Sequence, residues 1–259
     1  MKGAMICQMI KKMKLFDAHF HIIDSRFPLV PNNGFLPDEF TCADYLERMR
    51  GYNLLGGAIV SGSFQAFDQS YIADALPRLG PAFVGVTQLP ENTSDKELLR
   101  LHSLGVRAVR FNLHRGGSED VHCLERMSKR VHEIVGWHVE LYADAKGLAE
   151  LRGLIASLPS VSIDHLGLSA EGFPTLLWLA EHGVKIKATG FGRGNLAVKN
   201  SLRDIYSANP DALMFGTDLP STRAARPYTD EDFLTVIEAL GEDNAQRVCY
   251  DNAFELYRP

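Results

Sequence analysis

Phe16-Asp17-Ala18-His19-Phe20-His21-Ile22-Ile23-Asp24 closes the first apolar run of a 259-residue chain, and the residues that end it decide between two folds. A strand turns successive side chains to opposite faces, so His19 and His21 project the same way. Two imidazoles at that spacing can grip one metal ion or one substrate oxygen. An open, doubly wound α/β sheet announces itself by a glycine-rich turn after its first strand. Here the strand runs into His21-Ile22-Ile23-Asp24 instead. That favours the other arrangement of alternating strands and helices, a closed (β/α)8 barrel.

The rest of the chain supplies the eight units such a barrel needs. Short apolar runs predict strands over 15–21, 57–62, 82–89, 108–113, 137–143, 161–165, 185–189 and 213–217. Stretches of helical period follow at 41–50, 70–79, 94–104, 123–135, 148–158, 173–182, 196–207 and 230–240. A last amphipathic stretch, 243–257, reads as a closing helix. Ser94 with Glu97 three residues later, and the acids Asp230, Glu231 and Asp232 after Thr229, mark helix starts. Gly105, Gly136 and Gly183 stand where helices stop. Strands separated by helices imply parallel neighbours joined by right-handed crossovers. The expected fold is therefore a single-domain α/β TIM barrel over 15–259. Residues 1–14, with lysines on both sides of a very short apolar stretch, read as a loose tail without the features of a signal peptide. Residues 24–38, with Pro28, Pro31 and Pro37, read as a first loop folding over the barrel mouth.

Bulk properties narrow the function. A net charge of −5 argues against general nucleic-acid affinity, which needs clustered positive charge. No apolar run approaches the roughly 20 residues of a membrane helix. Cys7, Cys42, Cys123 and Cys249 make no Cys-x-x-Cys pair, so buried free thiols in a reducing cytoplasm are the simplest account.

In a (β/α)8 barrel the chemistry gathers at the C-terminal ends of the strands. His19 and His21 end strand 1, His165 in Ile163-Asp164-His165-Leu166-Gly167 ends strand 6, and Asp218 in Phe215-Gly216-Thr217-Asp218-Leu219-Pro220 comes after strand 8. Closure puts strands 1 and 8 side by side, so Asp218 can approach the histidine pair. Singly, His165 could be a core histidine and Asp218 a helix cap; together they point to one active-site rim. Positive charge surrounds the same rim: Arg110 in strand 4, Arg115 after it, Lys187 in strand 7, Arg193 in Gly190-Phe191-Gly192-Arg193-Gly194, then Arg223 and Arg226. An arginine inside a buried strand, as Arg110 is, must be paired or face the mouth. Guanidinium forks bind carboxylates, which implies a small mono- or dicarboxylate substrate.

This constellation resembles the amidohydrolase superfamily, whose barrels carry His-x-His on strand 1, His on strand 6 and Asp on strand 8. More narrowly, the span from Leu15 onward resembles the amidohydrolase-2 branch through 16–21, Gly105-Val106-Arg107-Ala108-Val109-Arg110-Phe111-Asn112, Gly136-Trp137-His138-Val139, 163–167 and 215–220. The resemblance to lactonase-like members implies hydrolysis without an obligatory metal, and makes Ser63 and Gln65 after strand 2, and Tyr142 at the end of strand 5, candidate substrate contacts. The departures are equally plain. Strand 4 ends in Arg110-Phe111-Asn112-Leu113, without the Lys or Glu of binuclear members, and strand 5 carries His138 near its start, where a structural role is expected. Leu219-Pro220-Ser221 stands where the family often has Trp-Pro-His. His19, His21 and Asp218, with His165 as a fourth, could still hold one zinc ion.

The expected activity is opening of a carboxylate-bearing lactone. Asp218 acts as base toward water, the three histidines polarise the carbonyl, and Arg110 and Arg193 clamp carboxylates. Two rivals remain: a metal-dependent enzyme of the same barrel, such as a non-oxidative decarboxylase, and a catalytically silent barrel that binds a small acid.

Overall fold

Runs such as Phe83-Val84-Gly85-Val86-Thr87 carry almost no polar residue, as strands buried on both faces do. In the computed structural model, which describes residues 8–258, eight short runs are parallel strands: β1 (Lys14–Phe20), β2 (Asn53–Val60), β3 (Phe83–Thr87), β4 (Val106–Asn112), β5 (His138–Tyr142), β6 (Val161–Ile163), β7 (Lys185–Ala188) and β8 (Leu213–Phe215). They succeed one another round a single sheet in chain order. One helix comes after each strand: α1 (Cys42–Met49), α2 (Ser70–Leu79), α3 (Asp95–Ser103), α4 (Leu124–Val135), α5 (Arg152–Ser157), α6 (Phe173–Glu181), α7 (Val198–Ala208) and α8 (Asp230–Leu240). The fold is the predicted (β/α)8 barrel. Among the described residues no helix is long and apolar enough to cross a membrane.

Local signals act as predicted. Ser94 Oγ accepts from the Glu97 N–H at 3.3 Å, and Gly136 ends α4 at φ +71°, a left-handed conformation that favours glycine. The helix after β5 is shorter than predicted: 3₁₀ turns over Ala145–Leu151 precede α5, where Gly147 and Gly153 weaken helical propensity.

Two cores hold the barrel. The larger lies between strands and helices; the smaller fills the barrel itself with Phe16, Ala18, Ala58, Val60, Val84, Val86, Ala108 and Met214. The closing helix is realised as α9 (Glu242–Gln246), a π-helical turn over Arg247–Asp251, and α10 (Asn252–Tyr257). It sends Tyr257 into the inner core, where its ring stacks on Phe16 at 5.5 Å. Part of the expected N-terminal tail also joins the core. Residues 8–12 are helical, and Ile10 and Met13 are buried against the outer core, because their apolar side chains find cover there. Residues 1–7, with Cys7, lie outside the described residues. Of the remaining thiols Cys249 is buried, whereas Cys42 and Cys123 are partly exposed, so the expectation of uniformly buried cysteines does not hold.

The seam between β8 and β1 positions the site. Thr217 donates its N–H to Asp17 Oδ1 at 2.8 Å, Asp218 its N–H to His19 O at 2.7 Å, and His21 its N–H to Leu219 O at 2.8 Å. Gly216 permits the approach: a Cβ there would lie 2.6 Å from the His19 nitrogen. Strand β1 also carries a bulge, since Asp17 pairs with Gly57 but Phe20 with Ile59, one residue more on β1 than on β2. Simple alternation would put Asp17 on the same face as His19 and His21. Instead its carboxylate turns to Tyr45 of α1 and to Thr217, away from the two histidines.

The first loop does fold over the mouth. Val30 donates its N–H to Phe64 O at 2.7 Å, and Asn32 Nδ2 donates to Arg115 O at 3.0 Å. Arg223 reaches back to Asn32 Oδ1 at 2.8 Å.

Candidate active site

The bulge and the seam bring three chain segments together. Asp218 Oδ1 lies 3.5 Å from His21 Nε2 and 3.9 Å from His19 Nε2. The His165 ring sits 4.8 Å from that of His19 and 4.8 Å from that of Tyr142. His165 stands in a turn just beyond β6 rather than within the strand, and both it (φ +53°) and Asp218 (φ +60°) hold left-handed backbone conformations. Non-glycine residues adopt these sparingly, and such strain concentrates at functional sites. Gly190 lets the loop after β7 pass under His165, because a Cβ there would come within 2.5 Å of His165 Nδ1.

Each strand-1 imidazole is oriented through its other nitrogen. His21 Nδ1 lies 2.7 Å from Val60 O, to which it donates, so Nε2 is the nitrogen that faces Asp218. His19 Nδ1 lies 3.3 Å from Asp164 Oδ1, and its buried Nε2 has no partner. Burial brings the His19 imidazole down to about 4, against the pull of Asp164. Burial likewise holds His165 well below its ordinary value. Asp218 is the reverse case: burial would raise its carboxyl, but the Arg193 guanidinium and His165 outweigh it and hold it far below the usual range.

His19 Nε2, His21 Nε2 and Asp218 Oδ1 therefore fit a divalent cation, with an unpartnered buried nitrogen aimed at the place such an ion would take. His19, Asp164 and His165 make a second group of the same kind.

A cleft opens above these residues, lined by His21, Ser63, Arg110, Asn112, Arg115, Tyr142, His165, Arg193 and Arg223 among others. The arginines stand differently within it. Arg110 is buried and donates from Nε and Nη2 to Asp164 Oδ2 at 3.0 and 2.7 Å, and from Nη1 to Ser61 O at 2.7 Å. Its guanidinium lies 5.0 Å over the Tyr142 ring. Arg193 grips both oxygens of Asp218. The Arg115 and Arg223 guanidinia are not paired with any carboxylate among the described residues, and Arg115 helps pull Arg223 below its ordinary value after burial. Ser63 reaches the cleft. Gln65 does not: its amide is taken up by Ile22 O at 2.8 Å and the Gly62 N–H at 2.7 Å, so it shapes the turn after β2.

Three charged residues, Asp164, Lys187 and Glu140, lie directly beneath. Asp164 joins His19 to Arg110. Lys187, read from sequence as a rim charge, is instead fully buried inside the barrel, paired with Glu140 and 3.4 Å from His19 Nδ1. Glu140 also accepts from Tyr257 Oη at 2.6 Å and lies 3.6 Å from His138 Nε2. The rule that flagged Arg110, a charge inside an apolar strand, applies equally to Glu140 and Lys187. Arg226 pairs with Asp232 at the start of α8 and stays clear of the cleft.

Known proteins match this chain over nearly its whole length. A family model described as amidohydrolase matches residues 16–258. The chain is 27% identical to a 2-pyrone-4,6-dicarboxylate hydrolase of Comamonas testosteroni, over 94% of this chain and 90% of that one. It is 28% identical to a 4-sulfomuconolactone hydrolase of Rhizobium radiobacter, over 93% and 89%. Among solved structures, a probable 2-pyrone-4,6-dicarboxylic acid hydrolase of Acinetobacter baumannii, with citric acid bound, superimposes at a TM-score of 0.81 with 22% identity, covering 95% of this chain and 100% of that one.

Proposed function

The chain belongs to the amidohydrolase family, and on that premise we propose that it hydrolyses the lactone of a small carboxylic acid, of the kind named for its two relatives. The observation that carries this reading is the placement of Asp218 against the Nε2 atoms of His19 and His21, next to a cleft that His21, His165 and Arg193 line and whose walls carry further arginines.

A water between Asp218 Oδ1 and His21 Nε2, two acceptors 3.5 Å apart, donates a hydrogen to each and turns a lone pair toward the cleft. Asp218 takes the proton as that oxygen bonds to the lactone carbonyl carbon. A neutral His165, facing the cleft, donates to the oxyanion that develops. The ring C–O bond then breaks, and the proton held by Asp218 goes to the leaving oxygen. Arg115 and Arg223 hold the substrate carboxylate, and Tyr142 packs beside the ring. Positioning of this sort contributes as much as proton transfer when reacting atoms are held about 3 to 3.5 Å apart.

A metal-assisted form of the same hydrolysis is favoured by one observation, the unpartnered His19 Nε2. His19, His21 and Asp218 would hold the ion, which supplies a more acidic bound water and a polarised carbonyl.

Metal analysis and a panel of lactones and carboxylic acids, run on one preparation, test both forms. Opening of carboxylate-bearing lactones is expected, with Asp218→Asn abolishing turnover while substrate binding stays measurable. A panel in which acids bind and no lactone opens refutes the proposal. Near-wild-type rates in Asp218→Asn remove that residue from its role.

A further inference from the structure

Asp218 is assigned the proton, yet both its oxygens are already taken. Arg193 Nε donates to Oδ2 at 2.6 Å and Nη2 to Oδ1 at 3.0 Å, and Nη2 also donates to Thr222 O at 2.9 Å. A two-pronged, charge-assisted pair of this type is the strongest side-chain contact a carboxylate makes with an arginine. While it stands, Oδ1 is shared and the negative charge is compensated, so water gains little from it. The guanidinium is nonetheless placed to let go. It lines the same cleft as Arg115, Tyr142 and Arg223, so a carboxylate lying there competes with Asp218 for one fork. The loop that carries it is packed rather than free. A Cβ on Gly192 would fall 2.1 Å from Arg226 O, and one on Gly194 1.8 Å from Leu168 O, so these glycines serve close contact. Movement therefore belongs to the Arg193 side chain.

We propose that Arg193 is a latch on Asp218 that the substrate's own carboxylate opens. This rests on the lactonase reading and deepens it: selectivity for acidic lactones then lies in turnover as well as in binding. A neutral lactone can fill the cleft, but it leaves the base masked. If the latched form outweighs the free one by about 100 to 1, a neutral substrate reaches about one hundredth of the turnover at saturation.

The test compares a dicarboxylate pyrone with unsubstituted 2-pyrone, each taken to saturation, with acetate or chloride added at equal ionic strength. Acetate, and not chloride, is expected to raise turnover of the neutral pyrone. Arg193→Gln should raise the neutral rate, abolish the acetate response and increase KM for the dicarboxylate. Equal turnover of both substrates by the native enzyme overturns the latch and leaves the lactonase reading intact. A crystal structure with malonate in the cleft gives a readout independent of activity and of the variant's folding. Arg193 moved from Asp218 onto malonate supports the latch even if no lactone is opened, and Arg193 still on Asp218 beside bound malonate overturns it. Zinc at one per chain, lost in Asp218→Asn, assigns Asp218 to the metal and overturns the latch too.

Discussion

Asp17→Ala probes the seam on which the whole site depends. The Asp17 carboxylate is fully buried and accepts from Thr217 N–H (2.8 Å), Thr217 Oγ1 (2.7 Å), Tyr45 Oη (3.1 Å) and, less well, His19 N–H (3.3 Å). The two hydroxyls can turn to other acceptors; the two backbone donors cannot. At about 1–3 kcal/mol per orphaned buried group, the alanine variant should lose about 3 kcal/mol at pH 5. Unfolding entropy near 2.1 cal/mol/K per residue makes that about 5 °C in Tm for a chain of 259 residues. The penalty has a pH dependence of known sign. Burial raises the Asp17 carboxyl from 3.8 to about 6, despite its hydrogen bonds. A group whose folded value lies above its unfolded one gives its full stabilisation below the unfolded value, and that stabilisation is lost as pH rises through the folded one. The alanine variant lacks this slope, so its deficit should shrink by about 1 kcal/mol between pH 5 and pH 7.5. Asp17→Asn, which keeps an acceptor for Thr217 N–H and donors for both hydroxyls, should recover most of the loss and show no slope. Calorimetric melts of the three proteins at the two pH values decide it. An alanine variant melting within a degree or so of the native enzyme, or one whose deficit grows with pH, would refute the role given to Asp17.

Asp164→Asn should still fold, since the amide oxygen accepts from Arg110, but at a stability cost because the buried guanidinium loses its counter-charge, and turnover should fall about 10- to 100-fold as His19 loses the carboxylate that orients it; steady-state kinetics showing only a KM change would contradict this. Glu140 is held near 2 because Lys187 and His138 outweigh the effect of burial. Its stabilisation is therefore lost as pH falls from 4.5 toward 2. Glu140→Gln removes the nearer carboxylate partner of Lys187, leaving Asp164 Oδ1 at 3.8 Å, and should cost about 3 kcal/mol at neutral pH, with a flatter acid limb in melts from pH 5 downward. Asn32→Ala removes the side chain that ties the first loop to Arg223 and Arg115, and should raise KM about 3- to 10-fold, the equivalent of one or two hydrogen bonds, with turnover retained.

The order of elements, the barrel and the rim positions of His19, His21, His165 and Asp218 were legible in the chain because each rests on local rules. Apolar runs of strand length, glycine and serine at helix ends, and period-two projection need no knowledge of distant neighbours. The state of the arginines was not legible. Arg110 and Arg193 are the right residue type for a substrate carboxylate, but each was matched in sequence to a ligand when Asp164 and Asp218, 54 and 25 residues away, were the partners. Gln65 was placed at the site by analogy, and its amide is consumed by backbone within the turn it belongs to.

What sequence alone determined is periodicity: which runs are strands, how many there are, and which residues end at the mouth. What only tertiary structure decided is pairing. Whether a buried charge faces substrate or another side chain depends on angstrom-scale closeness between strands far apart in the chain, and a single bulge in β1 was enough to turn Asp17 to the seam and leave two histidines for chemistry.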